Sequence, residues 1–332
     1  MTMKETQPIL EVRNLCTTFR RGGVLLPAVR DVSFDVRQGE VLGLVGESGS
    51  GKSVTLRSIL GLTRRQGEVT GEVRWQGRDI SRLSDRQLRQ VRGGEVAMIF
   101  QEPMTSLNPL LTVGLQLTET LKAHTDLSRA ARRDRAIEML DHVGIPAAAS
   151  RLQDYPHQFS GGMRQRVMIA IALAAEPKLL LADEPTTALD VTIQAQILDL
   201  ILRLSQEMNM GVILVTHDLG VVAQTCENVA VMYAGRIVEQ GAVRQVLRAP
   251  RHPYTAGLMR SVPQDIAPRT PLYSVPGTPP SLEMLPLGCA YAPRCEVRTE
   301  ACLSKRPALE TISAGRRAAC FNPVPAIQGE VA

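Results

Sequence analysis

The stretch VLGLVGESGSGKS, residues 41–53, decides the fold of this chain. Its first five residues are mostly apolar and predict a short buried strand, and the next eight match the phosphate-loop pattern G-x-x-x-x-G-K-[ST]. Glycines allow successive backbone N–H groups to face phosphate oxygens at the start of a helix, whose dipole also favours anions. The predicted nucleotide-binding residues here are Gly46, Glu47, Ser48, Gly49, Ser50, Gly51, Lys52, Ser53 and Val54.

Two side chains of this loop have specific expected roles. Lys52 is expected to reach the β- and γ-phosphates, and the Ser53 hydroxyl is expected to ligate Mg²⁺. The alternative is an ordinary glycine turn between a strand and a helix. We favour nucleotide binding because the match is long and stands between a predicted strand and a predicted helix.

The composition is that of a globular protein. Among 332 residues, 44% are hydrophobic and 21% charged, with a formal net charge of +5. No apolar run approaches the roughly 18 residues that cross a bilayer, and the first residues lack the apolar core of a signal peptide. Aromatic residues make up only 3%, which argues against recognition by base stacking. We therefore expect a protein in the cytosol or on the cytosolic face of a membrane, without a nucleic acid partner.

Apolar patterns on both sides of the phosphate loop predict further elements. Two alternating runs within residues 8–40 predict strands of an antiparallel sheet. Phe19 lies between these runs, and it either stacks on an adenine ring or is simply a half-buried strand residue. Apolar residues at helical spacing between 112 and 143 predict that residues 102–175 form a helical insert in an α/β core.

Two polar residues directly follow predicted strands. Gln101 follows the strand at 95–100, where its amide oxygen could contact Mg²⁺ or an attacking water, although a solvent-facing loop amide explains it as well. His217 follows the strand at 212–216. A lone histidine is usually structural, but one at this strand end could contact a γ-phosphate. The residues by themselves leave both alternatives open.

A Ser-Gly-Gly sequence precedes another predicted helix. Ser160 is a candidate N-cap, and Gly161 and Gly162 would expose free backbone N–H groups, which is again a site for an anion. A plain N-cap would explain the serine. It would not explain two glycines followed by two arginines.

Two adjacent carboxylates end the predicted buried strand at 179–182. Ligands of α/β sheets lie at the carboxyl ends of parallel strands. Asp183 is expected to hold Mg²⁺ through water, and Glu184 to orient or deprotonate the water that attacks the γ-phosphate. The alternative is that these acids merely begin the next helix.

Beyond residue 249 prolines become dense and predict an irregular arm that carries four of the six cysteines. These are Cys289, Cys295, Cys302 and Cys320. Four thiolates suit either a tetrahedral zinc ion or a four-iron cluster, and the spacing lacks the paired C-x2-C knuckles of structural zinc sites. Reduced or disulfide-linked cysteines remain a further alternative.

Taken together, these motifs resemble those of the ATP-binding subunits of ABC transporters over residues 8–250. They correspond to the Walker A motif (46–53), the Q-loop (Gln101), the signature (159–163), the Walker B motif (179–183), the catalytic base (Glu184), the D-loop (188–190) and the switch histidine (His217). The resemblance implies an α/β P-loop NTPase with a RecA-like core, an antiparallel β subdomain and the helical insert. It implies an ATPase that uses Mg²⁺ and forms a head-to-tail dimer, with each ATP between one Walker A motif and the other signature. Phe19 corresponds to the A-loop, where tyrosine is commoner.

Residues 101–109 and 251–255 are similar to the ATPases of bacterial dipeptide and oligopeptide importers. This resemblance implies an ABC nucleotide-binding domain at 1–250 and an extension at 251–332 whose cysteines hold a [4Fe-4S] cluster. The implied partners are a second ABC ATPase subunit, either a paralogue or a copy, two membrane-spanning permease subunits and, indirectly, an extracytoplasmic solute-binding protein. The implied location is the cytoplasmic face of the bacterial inner membrane. Transport of nickel, opines or glutathione remains an alternative, as does, less closely, a soluble ABC ATPase acting on nucleic acid or ribosomes.

Overall fold

The computed structural model describes residues 7–101, 106–187, 189–262 and 273–325. The chain divides into two compact units. The first comprises Met1–Ile9, Val36–Glu40 and Arg82–Val215, and the second comprises Leu10–Asp35, Val41–Ser81 and Thr216–Ala332. The phosphate loop and the C-terminal extension therefore belong to the same unit. The domain boundary at residue 250 stays a prediction. Residues 102–105 of the Q-loop motif and Ala188 of the D-loop lie outside the described residues.

Three strands come first in the described ranges, and residues 113–173 contain helices with no strand between them. The strands are β1 (Leu10–Arg21), β2 (Val24–Val36), β3 (Val41–Val45), β4 (Gly67–Trp75), β5 (Arg78–Asp79), β6 (Val96–Ile99), β7 (Leu179–Asp183), β8 (Gly211–Thr216), β9 (Asn228–Tyr233), β10 (Arg236–Ala242), β11 (Glu310–Ser313) and β12 (Arg316–Ala318). The helices are α1 (Lys52–Ile59), α2 (Asp85–Val91), α3 (Val113–His124), α4 (Arg129–His142), α5 (Ala148–Arg151), α6 (Gly161–Leu173), α7 (Val191–Glu207), α8 (Leu219–Thr225), α9 (Val243–Arg248), α10 (Pro253–Ser261) and α11 (Glu300–Ser304). Short 3-10 helices lie at Pro156–Gln158 and Ala292–Arg294.

The second unit contains the antiparallel β subdomain, a four-stranded sheet in the order β2-β1-β4-β5. β1 and β4 pair antiparallel from Leu10 opposite Trp75 to Phe19 opposite Gly67. The predicted antiparallel sheet is thus confirmed. β1 and β2 are much longer than the apolar runs that predicted them. The additional residues near the connecting turn are exposed and show no clear apolar alternation, so the sequence pattern did not indicate them.

The strands that carry the phosphate loop and the extension form a second set in this unit, in the order β11-β12-β10-β9-β3. β3 runs parallel to β9, whereas β10 pairs antiparallel with both β9 and β12. β3 is buried at all five positions, as its apolar sequence predicts. The extension therefore contributes strands to the sheet, in addition to the irregular backbone that its prolines predict.

The first unit holds parallel strands in the order β8-β7-β6 and most of the predicted helical insert. β7 and β8 are buried at every position, which accounts for their continuous apolar sequence. The pattern at 112–143 forms two helices, α3 and α4, because Ser128 accepts a hydrogen bond from the Ala131 N–H and begins a new helix. No helix among the described residues has the length and apolar character needed to cross a membrane.

Candidate functional site

Three glycines give the phosphate loop its shape. Gly46, Gly49 and Gly51 have φ values of 151°, 77° and 101°, in the region that favours glycine. A Cβ atom on Gly46 would lie 2.2 Å from the Met232 carbonyl oxygen, and one on Gly51 would lie 2.5 Å from that of Ala28. No larger residue fits at either position without moving backbone. The glycine spacing that predicted the loop is therefore required by its packing as well as by its dihedral angles.

Lys52 begins α1 and is buried within the loop that precedes it. Its ammonium donates to the carbonyl oxygens of Gly46, at 2.7 Å, and of Glu47, at 3.0 Å. Lys52 as a whole residue is 4% exposed, and Ser50 is buried beside it. A buried ammonium, a helix N-terminus and glycine-lined backbone form a donor set that fits the oxygens of a nucleotide phosphate.

Two residues to which the sequence analysis assigned no role, Tyr254 and Arg294, hold this loop from the C-terminal extension. The Arg294 guanidinium makes paired hydrogen bonds with the Glu47 carboxylate, and the Tyr254 hydroxyl accepts from the Glu47 backbone N–H. These contacts join residues more than 200 positions apart in sequence. No local pattern could have indicated them.

The carboxylate pair of the first unit stands where the sequence predicts, at the carboxyl end of β7. Asp183 is fully buried and pairs with Val215 of β8, and the Glu184 N–H donates to the Val215 carbonyl at 3.1 Å. Glu184 has φ 47°, a left-handed conformation that turns the chain sharply after the strand. The strand therefore ends at Asp183, and Glu184 begins the turn that follows it.

Glu184 is held by side chains on both sides of it in sequence. The Gln101 amide nitrogen donates to Glu184 Oε2 at 3.0 Å, and the Thr187 hydroxyl donates to the same oxygen at 2.8 Å. The structure thus brings Gln101 and Glu184 together within the first unit, whereas the sequence predicts the Gln101 amide oxygen on Mg²⁺ or water. Thr187 was missed by the sequence analysis. A hydroxyl three residues after the acid was the signal available.

The Ser-Gly-Gly sequence opens α6 as predicted. Ser160 is its N-cap, and its hydroxyl accepts from the Met163 N–H at 3.3 Å. Ser160 and Gly161 are exposed, and among the described residues a Cβ on Gly161 would meet the Leu189 side chain at 3.9 Å, whereas one on Gly162 would lie 3.0 Å from the Ile193 side chain. The buried Gln165 of the same helix donates to the Pro185 carbonyl, next to Glu184. The signature helix and the acidic strand end are therefore connected directly within the first unit.

Phe19 and His217 have less specific surroundings. Phe19 lies in β1, is partly exposed and packs over Gly67 of β4, where a Cβ would come within 2.8 Å of the ring. This is the half-buried strand position that the sequence left open. His217 follows β8 and is exposed, next to Asp218, which caps α8. Their roles toward a nucleotide stay predictions.

The four cysteines of the extension line one small cavity with His252 and Tyr291. All four cysteines are free thiols. The cavity volume is about 10 Å³, close to the least space that one water needs. Burial raises the pKa of Cys289, of Cys295 and, to about 11, of Cys320, which opposes thiolate formation. Within the described residues no group of three or more His, Cys, Asp or Glu side chains is arranged to hold a metal ion. The convergence of the four cysteines agrees with the sequence, but this packing does not support the predicted [4Fe-4S] cluster, and cluster binding stays a proposal.

Comparison with known proteins adds two family matches and a set of close relatives. Residues 29–187 match the ABC transporter family, and residues 238–302 match the C-terminal region of oligopeptide/dipeptide transporters. The chain is 50% identical over 317 residues to the dipeptide transport ATP-binding protein DppD of Escherichia coli, covering 95% of this chain and 97% of the relative. It is also 50% identical over 316 residues to the oligopeptide transport ATP-binding protein OppD of Salmonella typhimurium, covering 95% and 94%.

Solved structures of related proteins support the same fold. The ATP-binding cassette MJ0796, solved as a dimer in a post-hydrolysis state with ADP and Pi, superposes with a TM-score of 0.64 at 31% identity. It covers 71% of this chain, and 99% of its own length is matched. The predicted α/β cassette fold is confirmed by this agreement together with the family match.

Proposed function

Because this chain belongs to the ABC transporter ATP-binding family of dipeptide and oligopeptide transport, we propose that it hydrolyses ATP to energise import of peptides. The observation that carries the proposal is the combination of a complete phosphate loop with an extension of the peptide-transporter type in one chain. The relatives named for dipeptide and oligopeptide transport are 50% identical to this chain over 95% of its length, which includes both the phosphate loop and the extension. Nickel, opine or glutathione transport is the second candidate.

The residues of the chain divide the work of ATP hydrolysis. Lys52 and the loop N–H groups bind phosphate oxygens, and Glu184 orients or deprotonates the attacking water. Gln101 and Thr187 support this role because both donate to the same oxygen of Glu184 and hold the carboxylate in one orientation. Magnesium, when bound, neutralises charge on the phosphates, and the hard oxygen donors of Ser53, Gln101 and Asp183 suit it.

The remaining motif residues act in an assembly with partners. We assign Ser160, Gly161 and Gly162 to the nucleotide of a second ABC ATPase subunit, His217 to the γ-phosphate and Phe19 to the adenine. Two permease subunits and, indirectly, an extracytoplasmic solute-binding protein complete the importer, which places this chain at the cytoplasmic face of the bacterial inner membrane. This assignment is supported by the exposed backbone at the start of α6, which could bind the phosphate of a nucleotide held by another subunit.

Peptide import is tested in proteoliposomes that contain this chain, its permease subunits, the second ATPase and the solute-binding protein. We expect ATP hydrolysis to rise severalfold when the binding protein is loaded with a dipeptide or oligopeptide. Nickel and glutathione are the matched ligands for the second candidate. Stimulation by one of these, with no response to any peptide, would contradict peptide import and leave ATP hydrolysis intact.

For the cysteine cavity we retain [4Fe-4S] binding as a proposal, supported by the convergence of four thiols and opposed by the small cavity. Binding would require the cysteines to separate and to lose protons. Protein purified without oxygen is expected to contain four iron and four sulfide per chain and to be brown, and Cys295→Ser with Cys320→Ser is expected to be colourless. One bound zinc, or no metal, in the wild-type protein rules out the cluster.

A further inference from the structure

The C-terminal extension holds the phosphate loop at Glu47. Arg294 Nη1 lies 2.7 Å from Glu47 Oε2, and Arg294 Nη2 lies 3.0 Å from Glu47 Oε1. The Tyr254 hydroxyl accepts from the Glu47 N–H at 2.8 Å. We propose that Arg294 is a positioning residue for ATP binding, which acts by neutralising and anchoring Glu47 of the phosphate loop. The proposal rests on the proposed binding of ATP by this loop.

Arg294 is itself fixed by its surroundings. Its side chain is 5% exposed, and it donates to the carbonyl oxygens of Pro276 and Val275, at 2.8 and 3.1 Å, and to the Tyr233 hydroxyl at 3.3 Å. Burial alone lowers the pKa of Arg294, but hydrogen bonds with Glu47 and Tyr233 outweigh burial and raise its pKa above the ordinary value. The guanidinium is therefore charged and oriented before any nucleotide binds.

Charge is the first reason why this pair matters for ATP. The Glu47 carboxylate belongs to a loop that must accept a polyanionic triphosphate, and a like charge close to that ligand opposes its binding. The planar Arg294 guanidinium makes two parallel hydrogen bonds with the Glu47 carboxylate. These bonds neutralise the charge of Glu47 and fix the direction of its side chain. A lysine at position 294 would keep the charge and lose the second bond.

Loop order is the second reason. In this structure the Lys52 ammonium contacts the Gly46 and Glu47 carbonyls and the Ser50 hydroxyl, so at least one of these contacts must change when it donates to a phosphate oxygen. Arg294 donates to the Glu47 carboxylate, and the Glu47 N–H donates to the Tyr254 hydroxyl. Neither hydrogen bond involves Lys52, so both can persist through that change. A loop that is ordered in advance loses less conformational entropy when the nucleotide binds.

A purely structural role for the pair, as a clasp between loop and extension, makes a different prediction. Such a clasp would change thermal stability without changing ATP affinity once the protein is folded. The proposal instead requires a loss of affinity that depends on the Glu47 charge. Removing that charge in an Arg294 variant should therefore restore binding.

The experiment measures the dissociation constant for Mg-ATP by calorimetry, together with thermal unfolding, on the full-length chain. Arg294→Gln is expected to weaken ATP binding about tenfold, because the partly buried Glu47 carboxylate loses its charge-assisted partner. The double variant Glu47→Gln with Arg294→Gln is expected to recover to within about threefold of wild type, since no unneutralised charge remains. Arg260→Gln is the matched control. Arg260 also belongs to the extension, but its 3.8 Å pair with Glu296 is exposed.

Equal ATP affinity in Arg294→Gln and wild type overturns the inference, and so does a double variant that binds no better than Arg294→Gln. Should Arg294→Gln not fold, Arg294→Lys takes its place with an expected loss of about threefold, since one of two bonds is lost. Wild-type affinity in that variant also overturns the inference. If the wild-type chain binds no ATP, the proposed function itself is contradicted. This outcome differs from the tests of the inference, which compare the ATP affinity of each variant with that of a wild-type chain that does bind ATP.

Discussion

Glu184→Gln is expected to lower the rate of ATP hydrolysis by at least about 100-fold while ATP binding stays within about threefold of wild type. Glutamine has nearly the same shape as glutamate and can still accept the bonds from Gln101 and Thr187 at 3.0 and 2.8 Å. Glutamine cannot take a proton from water, and it carries no charge with which to orient the water. The variant therefore removes the chemistry and keeps the local structure.

The measurement is steady-state phosphate release together with ATP affinity on the same preparations. Glu176→Gln is the control, because Glu176 belongs to the same unit and forms an exposed pair with Arg135 at 2.8 Å. We expect this control to hydrolyse ATP at the wild-type rate. Unchanged hydrolysis in Glu184→Gln would show that another group activates the water.

Arg316→Ala is expected to destabilise the second unit by about 3–5 kcal/mol, because it leaves the Glu239 carboxylate buried without its guanidinium. Glu239 is fully buried in β10, and Arg316 of β12 binds it at 2.6 Å and is 9% exposed. The carboxylate also accepts from the Arg251 and His252 N–H groups. These two amides cannot replace a full positive charge.

Urea unfolding of the purified chain measures this effect. The control Arg203→Ala removes an exposed pair with Glu207 at 3.0 Å and is expected to cost less than about 1 kcal/mol. Adding Glu239→Gln to Arg316→Ala should recover part of the loss, since the buried charge is then absent. A loss below about 1 kcal/mol in Arg316→Ala would contradict the assigned importance of the pair.

The parts of the site that depend on local chemistry were predictable from the sequence. Gly46, Gly51 and Lys52 are determined by backbone conformation and short-range contacts, so their spacing alone indicates the loop. Asp183 and Glu184 follow a continuous apolar strand, and the end of such a strand can be located from its pattern. The resemblance to ABC transporter subunits then supplied the fold, which the family matches confirm.

The contacts made by the extension were not predictable in this way. Arg294 and Tyr254 meet Glu47 across more than 200 residues, and nothing in their own neighbourhoods indicates a partner. β11 and β12 are only four and three residues long, and β11 is exposed throughout, so they carry no alternating signal. The cysteines did indicate that they converge. Their spacing could not show how tightly they pack.

The pairing of β10 with β12 has a consequence for biosynthesis. β10 leaves the ribosome before β12, and residues 243–315 must be translated between them. Until then one edge of β10 lacks its ladder of hydrogen bonds, and nascent chains with open edges associate with one another. Chaperone capture of this intermediate should therefore be greatest for ribosome-bound chains that have released β10 but not β12, and should decline once the final hairpin is released.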